Sequence, residues 1–553
     1  MTEIGAEPLK NHSSKLKITC AKDSTLQSYL ESNYPKVGIV QPKKTATGDG
    51  YPMLKTASLF SDGAVLCRRK EIRIFGEADN GKTVTVSLYD QHSNLLAEGK
   101  TRAREGSFLA FLKPQEAQTG CRLVTEAGKE QVEAKDIAIG EVFLAGGQSN
   151  MELELRNADE GPGIIRTHDD PLLRFFNVPR MAVKGPEQRK AVDEARWHAT
   201  VPGKGAEDSA VGYFFAAALR QRLTGVPVGI IGCNWGGTSV TCWIGEDALK
   251  TETEGQRYLD EYAGHTAGKD METYLKEEKA FLDVFIPWCN EVDAYKVKHP
   301  GAPWEEIEKA CGPSPWNPPA GPGSPYRPCG LAEAMLAELM PAALTGVLYY
   351  QGEEDACRTD HYDTLMILLI RHWRERFRSP ELPFLFVQLP MWIDCNAEDS
   401  FRWPLTRLAQ AAARDTMRNT GMVCLLDQGE FGNIHPTAKR PVGERLAELA
   451  GSMLYGGGEV SPRALDKYTE GNQIIIRLSA PVIVRDGGTP ALLEIAGEDN
   501  RYVPAQAEIR ENRLILTSEG IDNPVQARYA WTDYSDKVNL FGENGLPLEP
   551  FEL

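Results

Sequence analysis

Residues 141–151 read EVFLAGGQSNM: a short apolar run, two glycines, then a serine at the head of a polar turn. The same pattern recurs at 228–238 (VGIIGCNWGGT), 347–356 (VLYYQGEEDA) and 422–436 (MVCLLDQGEFGNIHP). Short apolar runs bounded by turn residues read as buried strands. Segments of helical period lie between and beyond them, at 210–223, 362–377, 405–417 and around Val442, Leu446 and Leu449. In the second of these, Tyr362, Leu365, Met366, Leu369, Trp373 and Phe377 share one face. A further run at 384–389 extends the series. Strands alternating with helices predict an α/β unit over 138–455, built on a parallel sheet flanked by helices.

Outward from that unit the pattern changes. Residues 51–137 show period-two runs such as Glu71-Ile72-Arg73-Ile74, cut by turns such as Asp79-Asn80-Gly81, and predict a β-sandwich or jelly roll. Residues 456–553 return to β patterning in 474–478, 492–495 and 514–516 and predict a second, C-terminal β domain. Within the α/β unit, a charged stretch and then the Pro/Gly-rich CGPSPWNPPAGPGSPYRPCG, at 311–330, predict a helical insertion with a long surface loop over about 251–330. Residues 1–50 are polar and Lys-rich and read as an extension, with a helix near Ser24 to Glu31.

Composition narrows the function classes. With 553 residues, 42% apolar and 25% charged, the chain is an ordinary multidomain globular protein. A formal net charge of −17 disfavours nucleic acid and anionic membrane partners. The start, MTEIGAEPLKNHSSK, lacks the apolar core of a signal peptide, and no long uninterrupted apolar window occurs, which predicts a cytoplasmic protein. Eleven scattered cysteines without a C-x-x-C pair predict reduced thiols, with neither a disulfide framework nor a zinc site. A homo-oligomer is compatible with all of this.

In an open parallel sheet, loops leaving the carboxyl ends of strands converge on one crevice. Ser149 sits in such a loop just after Gly146 and Gly147, which let the chain turn sharply, but Met151 excludes the G-x-S-x-G elbow. The loop 232–238 offers bare backbone N–H donors. The loop at Gln351 carries Glu353, Glu354 and Asp355, a conceivable divalent-cation site or simply a solvated helix start. Of nine histidines, His435 follows a strand end, with His361 its nearest competitor. Four such loops at four strand ends point to nucleophilic chemistry by Ser149 with His435 as base.

The chain resembles the sialate O-acetylesterases of the SGNH (GDSL-like) hydrolase superfamily in GQSNM at 147–151, NWGGT at 234–238, YYQGEEDA at 349–356 and IHPTAKRPVGERLA at 434–447. SLFSDGAVL near 58, ARYAWTDY near 527 and GLPLEPFEL at the end extend the likeness to both β sections. The resemblance implies a carbohydrate O-acetylesterase, needing no cofactor or metal, in which Ser149 attacks an acetyl carbonyl and His435 moves the proton. It implies an oxyanion hole from Ser149, Gly236, Gly237 and the amide of Gln351. Related sequences usually carry aspartate two or three residues before the histidine, where this chain has Asn433 and Gly432. Asn433, Asp427, Glu430 or a backbone carbonyl are then the candidate orienters of the imidazole. An acetylated sugar is the implied partner, 9-O-acetyl sialic acid first, with Arg358, Arg402 or Arg407 as the cation for its carboxylate and Gln148 and Glu353 as further contacts. Acetylated xylo- or manno-oligosaccharides are the alternative substrates, and a non-catalytic carbohydrate-binding protein is the alternative class.

Overall fold

The strand that precedes Ser149 is far longer than the apolar run that announces it. In the computed structural model, which describes residues 54–553 and the strand pair Lys17–Thr19 and Gly38–Val40, β1 (Glu130–Gly147) spans 18 residues. The helix expected near Ser24 to Glu31 lies outside the described residues. The first half of β1 pairs antiparallel with Gln118–Ala127, and its second half pairs in parallel on both edges. The boundary expected at 137–138 therefore falls inside one continuous strand, and two units share it.

The large sheet contains β1, β2 (Asp170–Asn177), β3 (His198–Thr200), β4 (Val228–Asn234), β5 (Gly346–Tyr350), β6 (Phe384–Val387) and β7 (Thr420–Val423). Their order is β3-β2-β4-β1-β5-β6-β7, parallel throughout except at the β2–β3 edge. Sequence patterning missed β2 and β3. The run DPLLRFFN in β2 begins with Asp-Pro and carries Arg174, which is buried and donates to the Gly63 and Asp136 carbonyls.

Alternation in β1 sends Phe143 and Ala145 into one core with Ile230, Leu348 and Leu385, and Val142 and Leu144 into another with Ile231, Val347 and Phe384. Both faces are buried, which is why the strands read as unbroken apolar runs. The first core is covered by α2 (Ala210–Arg222) and α8 (Arg440–Leu454), which carry Phe215, Leu219, Leu446 and Ala450. These two helices approach closely because position 443 is glycine: a Cβ there would stand 2.5 Å from the Phe215 nitrogen. On the other face lies α6 (Tyr362–Arg376). Of its expected face, Tyr362, Leu365, Met366, Leu369 and Trp373 lie within the helix and are buried, and Phe377, just past its end, is buried too.

The amino-terminal β region has two sheets, one extending β1, antiparallel but for the parallel strand Val65–Cys67, and an antiparallel one of Lys55–Thr56, Ile72–Glu77 and Ser107–Leu112. Inward residues of both, including Ile74, Val86 and Leu112, meet in one core with the face of the large sheet that bears Leu144. The carboxyl-terminal region forms two four-stranded antiparallel sheets and a two-stranded pair. Its core takes in Met391, Cys424 and Leu426 from the α/β unit. The insertion is helical as expected, with α3 (Thr253–His265), α4 (Met271–Lys298) and α5 (Trp304–Cys311). All ten described cysteines are free. No helix among the described residues is long and apolar enough to cross a membrane.

One buried cation joins the α/β unit to the carboxyl-terminal region. Arg407, on α7 (Arg402–Thr416), is 0% exposed and donates to the carbonyls of Pro390, Ala530 and Thr532. Arg407→Met removes the donor to Ala530 and Thr532, while Pro390 keeps the Trp403 indole N–H, and a loss of roughly 2–4 kcal/mol is expected. Thermal unfolding should show a clearly lowered midpoint; an unchanged midpoint would mean that Arg407 does not tie the regions together.

Candidate active site

Strand register brings the loops together. Gly147 at the end of β1 pairs with Asn234 on β4 and with Tyr350 on β5, so Ser149, Gly236 and Gln351 follow within two residues of one line across the sheet. Gly147 permits the turn: its φ is +134°, and a Cβ would stand 2.1 Å from the Tyr350 carbonyl oxygen. Ser149 then opens the single turn α1 (Ser149–Glu152). His435 comes from the edge strand β7, carried back by a long loop that ends at α8. Its Nε2 lies 2.8 Å from the Ser149 hydroxyl oxygen. With the hydroxyl donating, Nε2 is the basic nitrogen and the ring proton sits on Nδ1.

His435 is exposed at its surface, yet neighbouring protein displaces much of the water around the ring. That desolvation, with the charges of Lys439 and Lys296, takes its pKa down from 6.5 to about 4. Among the described residues no side chain bonds the Nδ1 edge. Asn433 accepts from the backbone N–H of His435 at 3.1 Å and donates to Glu430 at 2.7 Å, so both fix the loop and neither touches the ring. Asp427 is held by Arg445 at 2.7 Å through both oxygens. In this arrangement none of the three bonds the ring: Asn433 and Glu430 bond each other within the histidine loop, and Asp427 pairs with Arg445.

The oxyanion donors divide in two. The backbone N–H groups of Ser149 and Gly237 have no protein acceptor among the described residues. The Gly236 N–H is taken by the Glu152 carboxylate, which also pairs with Arg180. Gln351 is 1% exposed, and its amide nitrogen donates to Asp355 at 2.5 Å and to Gln148 and the Thr238 carbonyl at 3.2 Å. Its oxygen accepts from Tyr362 at 2.8 Å. Gln351 is therefore a strut of the loop in this arrangement, a correction to its expected place in the hole, and Gly236 is likewise occupied.

The acidic cluster at the end of β5 disperses. Asp355 is buried and accepts from Ser239, Val240, Tyr258 and Gln351. Glu354 is exposed, its carboxyl raised to about 7 by partial desolvation and by the charge of Asp355. Glu353 is buried, its pKa raised by that burial, and it accepts from Asn150 at 2.5 Å. Glu353 and Gln148 lie beneath the site floor, a correction to their reading as substrate contacts. Of the candidate cations, Arg407 is buried as described, Arg358 pairs with Glu261 at 2.5 Å and lies over Tyr258, and Arg402 is exposed in the first turn of α7.

Two residues of the site escaped sequence reading. Asn150, wholly buried beside the nucleophile, donates to the Ile434 carbonyl at 3.0 Å as well as to Glu353, and accepts from Lys439 at 2.5 Å. It ties the serine loop to the histidine loop one residue before His435. Lys439 is buried, lies over Tyr350 and has its pKa lowered to about 7 by desolvation, against the pull of Glu353 and Glu430. A signal existed: Lys439 stands at the amino end of α8, where the helix dipole disfavours a cation unless something holds it.

The chain is similar to known carbohydrate esterases over most of its length. A family model described as carbohydrate esterase, sialic acid-specific acetylesterase, matches residues 314–451. Sialate O-acetylesterase of Rattus norvegicus is 24% identical over 522 residues, covering 86% of this chain and 90% of that protein. The Homo sapiens sialate O-acetylesterase is 24% identical over 521 residues, covering 86% and 88%. A solved carbohydrate acetylesterase from Xanthomonas citri superposes with a TM-score of 0.70 at 27% identity, covering 90% of this chain and 99% of that one.

The polar setting of His435 yields a test of its own. Asn433→Asp places a negative charge beside the imidazole and removes the donor to Glu430. The charge favours the cation, so the His435 pKa should rise in an NMR titration of the labelled ring, while the two facing carboxylates lower stability. An unmoved titration would show that position 433 is electrostatically remote from the ring.

Proposed function

We propose that this chain, similar over most of its length to sialate O-acetylesterases and to a solved carbohydrate acetylesterase, releases acetate from an O-acetylated sugar through an acyl-enzyme on Ser149. The observation that carries the reading is the 2.8 Å contact between the Ser149 hydroxyl and His435 Nε2 at the mouth of a strand-end crevice. In the proposed cycle His435 takes the hydroxyl proton as Ser149 attacks the acetyl carbonyl. The oxyanion forms against the unpaired N–H groups of Ser149 and Gly237, where one such donor is worth roughly 10²–10³ in rate. His435 then delivers the proton to the sugar oxygen, and water repeats the sequence to release acetate. No step calls on a cofactor.

With no carboxylate on the imidazole, the pair works as a dyad. A carboxylate would stabilise the imidazolium formed during attack; here the loop bonds of Asn433 and Asn150 supply orientation alone. The finer architecture fits the proposal as an SGNH-type core with jelly-roll-like units on either side. The sugar is read as an acetylated sialic acid, in keeping with the names of the relatives, and the 9-O-acetyl ester is taken first from the sequence resemblance alone.

Ser149→Ala should lower kcat on 4-nitrophenyl acetate by ~10³-fold or more. A fluorophosphonate followed by peptide mapping should label Ser149, and a label elsewhere with an active Ser149→Ala enzyme would sink the mechanism. The depressed pKa of His435 has a kinetic sign: the ring stays neutral, and able to accept the proton, down to about pH 4. The acidic limb of kcat/KM should accordingly fall well below pH 6.5; a limb near 6.5 would mean that the ring is not desolvated, and one clearly above it would place a carboxylate at the ring.

A further inference from the structure

The insertion reaches the site with aromatic side chains. Along α4, Phe281, Phe285 and Trp288 follow at helical steps, with Phe281 and Phe285 stacked at 5.2 Å. Trp316, from the Pro/Gly-rich loop, stands edge-on to both at 5.9 and 5.2 Å and to Tyr326 at 5.5 Å. Trp288 in turn meets Trp304 of α5 at 6.4 Å. The array touches a catalytic loop at each end. Trp316 lies 2.3 Å from where a Cβ on Gly237 would stand, so only glycine fits beneath it, and Trp304 lies 3.3 Å from that of Gly432. These loops carry the free oxyanion donor and the histidine.

An array built only for the core would bury its rings, yet Trp316 is 39% exposed although three rings hold it. A pyranose has an apolar C–H face and a polar rim, and a fixed indole beside a polar catalytic pair matches both. The last turn of the same helix carries Lys296, whose ammonium lies 5.3 Å from the Trp304 ring centroid. Lys296 is exposed and has no carboxylate partner among the described residues. Arg358 and Arg407 are committed elsewhere, and the charge of Lys296 is felt at His435.

We propose that the insertion builds the sugar subsite, with Trp316 and Trp304 as its walls and Lys296 as the cation that binds the carboxylate of an acidic acetylated pyranose. This rests on the esterase reading for its position beside Ser149.

The test compares three esters, 4-nitrophenyl acetate, 9-O-acetylated sialic acid and acetylated xylo-oligosaccharide, across the wild type, Trp316→Ala, Trp316→Phe, Lys296→Ala and Lys296→Arg. For Trp316→Ala, kcat/KM on the sialate ester relative to 4-nitrophenyl acetate should fall about tenfold or more, through KM, with Trp316→Phe recovering most of it. Lys296→Ala should lower the ratio of sialate to xylo-oligosaccharide ester by a similar factor, and Lys296→Arg should restore it. Equal losses on all three esters would make these residues props of the catalytic loops and overturn the proposal. So would an unchanged sialate ratio in Trp316→Ala or Lys296→Ala. A wild type inert toward 4-nitrophenyl acetate is a failure of the esterase reading alone. The subsite is then tested by calorimetric binding of free sialic acid to the wild type, which Trp316→Ala and Lys296→Ala should each weaken; absent or unaltered binding overturns it.

Discussion

A strand hydrogen-bonded along both edges and buried on both faces cannot slip by one residue without sending every side chain to the wrong core. β1 is under that constraint along the half that enters the large sheet, where Phe143 and Leu144 belong to opposite cores. Its register sets where Gly147 ends, and Gly147 sets where Ser149 points. The pairings of Gly147 with Asn234 and Tyr350 give the other two loops the same reference line. The geometry of the nucleophile is thus a property of sheet registry more than of the loop that holds it.

The histidine is positioned by different means, since its strand lies at the sheet edge. The helix that follows it is fixed by the close crossing at Gly443, and its loop is pinned by Asn150 from the serine side. The price of this arrangement is electrostatic, because a ring crowded by protein and by two lysines gives up basicity. A low-pKa imidazole is a weaker base but is seldom lost to protonation, and the balance favours a site that works without a third charged member.

The α/β strands were legible because each ends in turn chemistry, and α6 because its apolar face keeps a clean period. The edge pair β2 and β3 was not, since a buried Arg174 and an Asp-Pro start imitate a loop. At the site, residue type and strand-end position sufficed for Ser149 and His435. Direction did not follow from type: Asp427 and Gln351 sit where a catalytic group belongs, but Arg445 and Asp355 claim them. Partners contributed by distant segments, such as Lys439 to Asn150, leave almost no trace in a single sequence. The insertion was placed correctly as a helical excursion, while its aromatic contact with Gly237 and Gly432 depends on folding back across the chain.

The histidine loop also leans on the carboxyl-terminal region. Gly432 donates to the Ile393 carbonyl, the next residue back, Trp392, donates to the Asp533 carbonyl, and Phe431 packs edge-on to Tyr534. Asp533 further accepts from the backbone of Ser400 and Trp403. In vectorial synthesis, residue 149 leaves the ribosome almost four hundred residues before these supports do. The strands that register the nucleophile loop are complete only once Tyr350 has emerged, and the histidine loop gains its last supports later still, when Asp533 and Tyr534 follow.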